Sequence, residues 1–209
     1  QMNDNPPAGE KIQPLQGIRV VDISRALAGP FCTMMLGDMG ADVIKVERPG
    51  RGDESRSWGP PFVGTPTEAY PGESTYYLAA NRSKRSLTVN LKDLTGQQII
   101  KDLVKISDVL VENFLTGSLD RMGLGYEQLH ELNPRLVFCS ISAFGQFSSK
   151  ADEPGYDAVV QAAGGLAPTR QCHVDALAGQ LRIQSGRLQG RFTRLDCLLH
   201  VLLGFVDIL

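Results

Sequence analysis

Five arginines stand in or directly after turns that follow predicted strands. The stretches SRALAGP, ERPGRGD, ENFLTGSLDRMG and SAFGQ supply Arg25, Arg48, Arg51 and Arg121, with Arg56 close behind. A guanidinium offers a planar fork of N–H donors that matches phosphate, and glycine-rich turns add backbone amides. A phosphorylated ligand is one reading of this set. Solvated surface charge is the other, because no single position is decisive. The densest basic cluster, NRSKRS with Arg82, Lys84 and Arg85, reads in isolation as an ordinary charged turn, with a phosphate site the alternative. GPFCTMMLGDMGA lacks the G-x-G-x-x-G spacing, and no glycine-rich run ends in Lys-Ser/Thr, so neither a dinucleotide fingerprint nor a P-loop is expected. His130 falls in a predicted helix, YEQLHELN, and reads as a surface residue rather than a catalyst. Cys32, Cys139, Cys172 and Cys197 form no CxxC pair, which argues against a zinc site or a disulfide framework.

The elements around these turns alternate. GIRVVDIS reads as a buried strand and AGPFCTMMLGDMGA as a helix, with Pro30 suited to its first turn and Gly40 to its C-terminal cap. DVIKVERP is a second strand, ended by Pro49. Residues 85–91 are then expected as a strand, 95–107 as a helix, 108–114 as a strand, YEQLHELN as a short helix and 135–145 as a further strand. DAVVQAAGGL, from residue 157, begins another helix. Residues 50–84, rich in Gly, Pro, Ser and Arg, are expected as a long functional loop. Alternation of this kind predicts an α/β fold with a parallel sheet. In such sheets ligands bind outside the carboxyl ends of the strands, where all four of these stretches, three of them arginine-bearing, emerge.

Composition is ordinary for a globular domain: 209 residues, 42% hydrophobic, 21% charged, net charge −2. There is no excess of Lys and Arg to suggest nucleic acid, and no apolar run of the roughly 18 residues that span a bilayer. The N-terminal stretch shows no signal core and no Arg-rich amphipathic helix, so cytoplasm is the expected compartment, with a processed mitochondrial protein the alternative.

Taken in order, LQGIRVVDISRALAGPFCTMMLGDMGADVIKVERPGRGDESRSWGPP, NRSKRSLTVNLKDLTGQQIIKDL, DVLVENFLTGSLDRMGLGYEQLHELNPRLVFCSISAFGQ and PGYDAVVQAAGGL resemble the family III CoA-transferases, the formyl-CoA and carnitine CoA-transferase group. The resemblance covers about residues 15–166. Its first part is most similar to enzymes that move CoA between dicarboxylic acids, of the succinyl-CoA:glutarate type. It implies a Rossmann-like α/β domain over residues 17–166 after a lead-in, 1–16, in the N-terminal half of a two-domain chain that pairs into an interlocked homodimer. It also implies coenzyme A or acyl-CoA as substrate, a carboxylic acid as partner substrate, and no permanently bound cofactor or metal. Carried over by position, the CoA contacts fall on Leu27, Ala28, Arg48, Val89, Asn90, Leu91 and Lys92, then on Asn113, Phe114, Leu115 and Arg121, and around Tyr156 and Asp157. Arg48 would meet the nucleotide end, with Arg51 and Arg56 as supporting charge. The apolar members Val89, Phe114 and Leu115 would also suit any strand end.

The resemblance further implies an Asp nucleophile that forms an acyl anhydride and then an enzyme-bound CoA thioester. Its D-x-x-T-G-like motif is absent from this sequence. Asp175 comes too early, and Asp196 lacks the Thr-Gly. Residues 167–209 carry five arginines and no lysine, and depart from the family pattern. A shifted reading frame near residue 166 and a splice or truncation variant are both open. Three readings therefore stand: a CoA-transferase whose nucleophile this chain lacks, a non-catalytic CoA-binding fragment or regulatory partner, and an acyl-CoA racemase of the same fold. The last needs a His where Tyr156 stands.

Overall fold

The computed structural model describes residues 13–67 and 71–164. Expectations for Asp175, Asp196 and the divergent tail lie outside the described residues. Five strands form one sheet: β1 (Arg19–Asp22), β2 (Asp42–Glu47), β5 (Lys84–Thr88), β6 (Val109–Glu112) and β7 (Val137–Ser140). They lie in the order β5-β2-β1-β6-β7, and all four pairings are parallel. This is the expected α/β fold with a parallel sheet.

Alternation along the strands covers both faces, as parallel sheets require. Val20, Val43, Val109, Val111 and Cys139 point to one side and pack with Leu36 of α1 (Ala28–Asp38). Val21, Val46, Leu110 and Phe138 point to the other, against Ile100 and Val104 of α3 (Leu94–Lys105) and Leu129 of α4 (Tyr126–Leu132). Helix α3 starts where Asp93 Oδ1 accepts the Thr95 N–H at 3.1 Å, and α1 stops at Gly40, whose φ of +100° suits a residue without Cβ. The strands are shorter than the sequence suggests: 85–91 becomes Lys84–Thr88, 108–114 becomes Val109–Glu112, and 135–145 becomes Val137–Ser140. Most of the missing residues, 89–91, 113–114 and 141–145, leave the ladder to build the turns at its carboxyl edge.

Residues 50–84 are not a long loop. They hold a 3-10 turn, Glu54–Ser57, a small antiparallel pair, β3 (Phe62–Val63) with β4 (Glu73–Ser74), and helix α2 (Thr75–Asn81). Long-range polar bonds order the segment. Ser74 Oγ donates to Trp58 O at 2.6 Å, and Arg56 reaches Glu47, Glu73 and Tyr77. Among the described residues, no helix is long and apolar enough to cross a membrane.

Candidate functional site

From β1 the chain moves on to the neighbouring strand β2, whereas from β6 it moves the opposite way, to β7. The carboxyl ends of β1 and β6 therefore flank a topological switch point, the usual place for a ligand crevice. Leu27 and Ala28 stand at the start of α1 on one side, both exposed, and Asn113, Phe114 and Leu115 follow β6 on the other. The two sides are joined. Asn113 Oδ1 accepts the Arg25 N–H, and Asn113 Nδ2 donates to Arg25 O, both at 2.8 Å. The Arg25 guanidinium lies 4.8 Å from the centre of the Phe114 ring. Helix α1 can approach this loop because its second residue is glycine: a Cβ on Gly29 would collide with the Ser24 side chain.

The turn after β2 is closed at its base by buried charge. Glu47 is 5% exposed, and its Oε2 accepts the Asp53 N–H at 2.9 Å and Arg56 Nε at 2.7 Å. Its Oε1 accepts Arg56 Nη2, Ser86 Oγ and Tyr77 OH. Burial opposes the Glu47 charge, but these donors outweigh it and hold the carboxyl down at about 2. Asp53 Oδ1 accepts Ala26 N at 3.2 Å and Ser55 N at 2.9 Å. Asp53 Oδ2 meets Lys45 Nζ at 2.9 Å, an ion pair whose alignment falls short of a hydrogen bond. Lys45 Nζ also donates to Ser24 O at 2.8 Å. The loops after β1 and β2 are thus cross-linked through a buried pair.

A second buried pair joins β5 to β1. Asp22 accepts Lys84 Nζ at 3.0 Å and Thr33 Oγ1 at 2.6 Å, and bonds to the Ser24 hydroxyl. Burial pulls the Lys84 ammonium down to about 8, although Asp22 opposes the shift.

These pairs sort the arginines. Arg56 is engaged by Glu47, with its guanidinium 3.7 Å from the Tyr77 ring, so it is a structural residue and not free charge. NRSKRS is likewise engaged: Arg82 pairs with Asp38, Arg85 with Asp42 and Lys84 with Asp22. Arg48 and Arg51 are exposed and form no ion pair among the described residues. Arg48 Nε donates to Gly52 O at 3.0 Å, a bond that shapes its own turn. A cavity of about 630 Å³ lies here, lined by Glu47, Arg48, Arg51, Asp53, Arg56 and Thr88 among others.

Other carried-over positions fall at the same edge. Val89 and Leu91 are buried in the core and can reach a ligand only through their main chain, whereas Asn90 and Lys92 are exposed. Arg121 is exposed on a 3-10 turn, Asp120–Met122, with Nη2 donating to Ser118 Oγ at 3.1 Å. Arg48 lines the cavity of about 630 Å³, and Arg121 is not among the residues that line it. They belong to the turns after β2 and β6, which β1 alone separates. Tyr156 is exposed just before α5 (Asp157–Ala163), which Asp157 opens. His130 is half-buried rather than a surface residue, stacked on Tyr126 with ring centres 5.2 Å apart.

A second cavity, about 180 Å³, lies where β6 and β7 end and is lined by Glu112, Leu115, Tyr126, Phe138 and Gln146 among others. Burial raises the Glu112 carboxyl above its ordinary range, although it bonds Ser140 and accepts the Phe114 N–H at 2.7 Å. The motif reading overlooked Asp22, Lys45, Glu47 and Asp53. One signal was present: DVIKVE places Lys and Glu inside a strand that should be apolar on both faces.

Comparison with known proteins identifies the family. The model of CoA-transferase family III matches residues 15–176. Succinyl-CoA:glutarate CoA-transferase of Homo sapiens is 54% identical over 155 residues, 74% of this chain and 34% of that protein. Succinate–glutarate CoA-transferase of Agrobacterium fabrum is 50% identical over 156 residues, 73% of this chain and 38% of that protein. The crystal structure of a CaiB/BaiF family protein from Brucella suis superposes with a TM-score of 0.71 at 37% identity, covering 93% of this chain and 50% of that one. The chain spans about a third of the length of the curated relatives it matches. With 162 of its 209 residues inside the family match (15 to 176), the chain belongs to CoA-transferase family III.

Proposed function

We propose that this chain forms the CoA-gripping part of a transferase that moves CoA between an acyl-CoA donor and a dicarboxylic acid. The observation that carries the reading is the set of turns after β1, β2, β5 and β6, which leave one sheet edge at a switch point. They carry Arg48 and Arg51, which form no ion pair among the described residues. The names of the relatives support succinyl-CoA as donor and glutarate as acceptor.

The proposed chemistry is stepwise. An Asp carboxylate attacks the thioester carbonyl, the C–S bond breaks, and CoA thiolate leaves a mixed anhydride. The thiolate then attacks the Asp acyl carbon and releases the donor acid, giving an enzyme–CoA thioester. The acceptor carboxylate repeats the sequence in reverse and departs as its CoA thioester. Because the sequence lacks a D-x-x-T-G-like motif, we assign this chain the binding role and not the nucleophile. In the full-length family member it would act within an interlocked homodimer.

Two measurements test the reading. Calorimetric titration with CoA should show saturable binding that Arg48→Ala weakens, and the absence of binding at millimolar CoA would sink it. Incubation with succinyl-CoA and hydroxylamine should yield no more hydroxamate than the same mixture without protein, in which hydroxylamine cleaves the thioester directly. Protein-dependent hydroxamate formation would show a nucleophile within these 209 residues and overturn the non-catalytic assignment.

A further inference from the structure

Asn113 was expected to touch CoA, yet both polar ends of its side chain are bonded to the main chain of one residue, Arg25. A two-point bond of this kind fixes the direction in which Arg25 leaves the loop after β1. The guanidinium lies by the Phe114 ring, and its side chain makes no hydrogen bond or ion pair among the described residues. Arg48 leaves the adjacent parallel strand, β2, and among the described residues its guanidinium is bonded to Gly52 O alone. We propose that Arg25 and Arg48 together bind one phosphate or diphosphate group, and that Asn113 is the residue that positions Arg25 for it.

The charge environment supports this. The Arg25 pKa is lowered first by burial and then by the positive charge of Arg48, so the two cations act on one another. Two carboxylates lie in range, Asp53 and Glu54. Asp53 is already matched by Lys45, which leaves Glu54 alone against two guanidiniums. A dianion between the two arginines would remove their mutual repulsion, and each fork could hold two of its oxygens. The backbone is arranged to the same end. Ala26, directly after Arg25, has φ +64°, a left-handed conformation rare for a residue with Cβ, and Asp53 accepts its N–H.

The proposal rests on the CoA reading for the identity of the ligand, so the test uses two probes: inorganic pyrophosphate, which carries only the phosphate chemistry, and CoA. Each is titrated calorimetrically at two salt concentrations into the wild-type chain, Arg25→Gln, Asn113→Ala, the double variant, and Arg135→Gln as a charge control. Arg25→Gln should weaken both probes by about ten- to a hundred-fold, as expected for losing a charge-assisted bond, and flatten the salt dependence. Arg135→Gln should change neither. If Asn113 acts through Arg25, the double variant will bind no more weakly than Arg25→Gln alone, which a general loosening of the fold would not produce. Additive losses would overturn the Asn113 assignment. Pyrophosphate binding that ignores Arg25, or is absent from the wild type, would overturn the arginine pair. Arg25-dependent binding of pyrophosphate without binding of CoA would leave the pair standing and refute the CoA reading.

Discussion

Lys45 Nζ lies 2.9 Å from Asp53 Oδ2, and both side chains are only 1% exposed. A lysine on a central strand and an aspartate beyond a glycine-rich turn therefore hold the arginine-bearing loops together. Because neither charge is solvated, removing one is worse than removing both. Asp53→Asn leaves the buried Lys45 ammonium only the more distant Asp22 carboxylate, 3.9 Å away and already shared with Lys84, and should cost about 3 kcal/mol. Adding Lys45→Met should recover most of that loss. Urea unfolding with an unchanged m-value measures both, and equal stability of the single and double variants would refute the pair.

Glu47 makes the fold sensitive to acid. Its folded-state pKa, about 2, lies below the ordinary 4.5, so its contribution is present above pH 4.5 and is lost as pH falls toward 2. The loss amounts to about 3 kcal/mol at most. Glu47→Gln should flatten the stability curve in that window. A variant as acid-sensitive as the wild type would contradict the assignment.

Arg56 and Arg48 should separate stability from binding. Arg56→Met breaks the bonds to Glu47 and Tyr77 and should lower the melting temperature sharply. Arg48→Met removes an exposed group and should change stability by no more than about 0.5 kcal/mol, while weakening CoA binding. Thermal melts and titration of the same two samples check this. The reverse pattern would exchange the roles assigned to them.

Gly29→Ala tests the close approach of α1. Alanine gains up to about 1 kcal/mol of helix propensity, but a Cβ here would collide with Ser24 Cβ and Oγ. Overpacking against a tethered atom costs about 1–3 kcal/mol, so destabilisation is expected. Ser24→Gly in the same chain should relieve the clash. Stabilisation by Gly29→Ala alone would show that the loop after β1 yields.

Much of the architecture was legible without coordinates. GIRVVDIS and DVLVENF are short apolar runs bounded by turn residues, and AGPFCTMMLGDMG carries its own stop signal, so the order of strands and helices followed from local pattern. The order of family motifs pointed to the sheet edge and to Arg48, and the comparisons agree on the family. Local pattern could not say which arginines are free, because that depends on partners distant in sequence. Glu47 claims Arg56, Asp22 claims Lys84 across 62 residues, and Asn113 bonds Arg25 across 88. Those pairings exist only once parallel strands bring their carboxyl ends together, where burial makes an unmatched charge costly. Periodicity thus determined the sheet and the edge from which the arginine-bearing turns leave. Tertiary packing decided which charges are neutralised inside it and which remain available to a ligand.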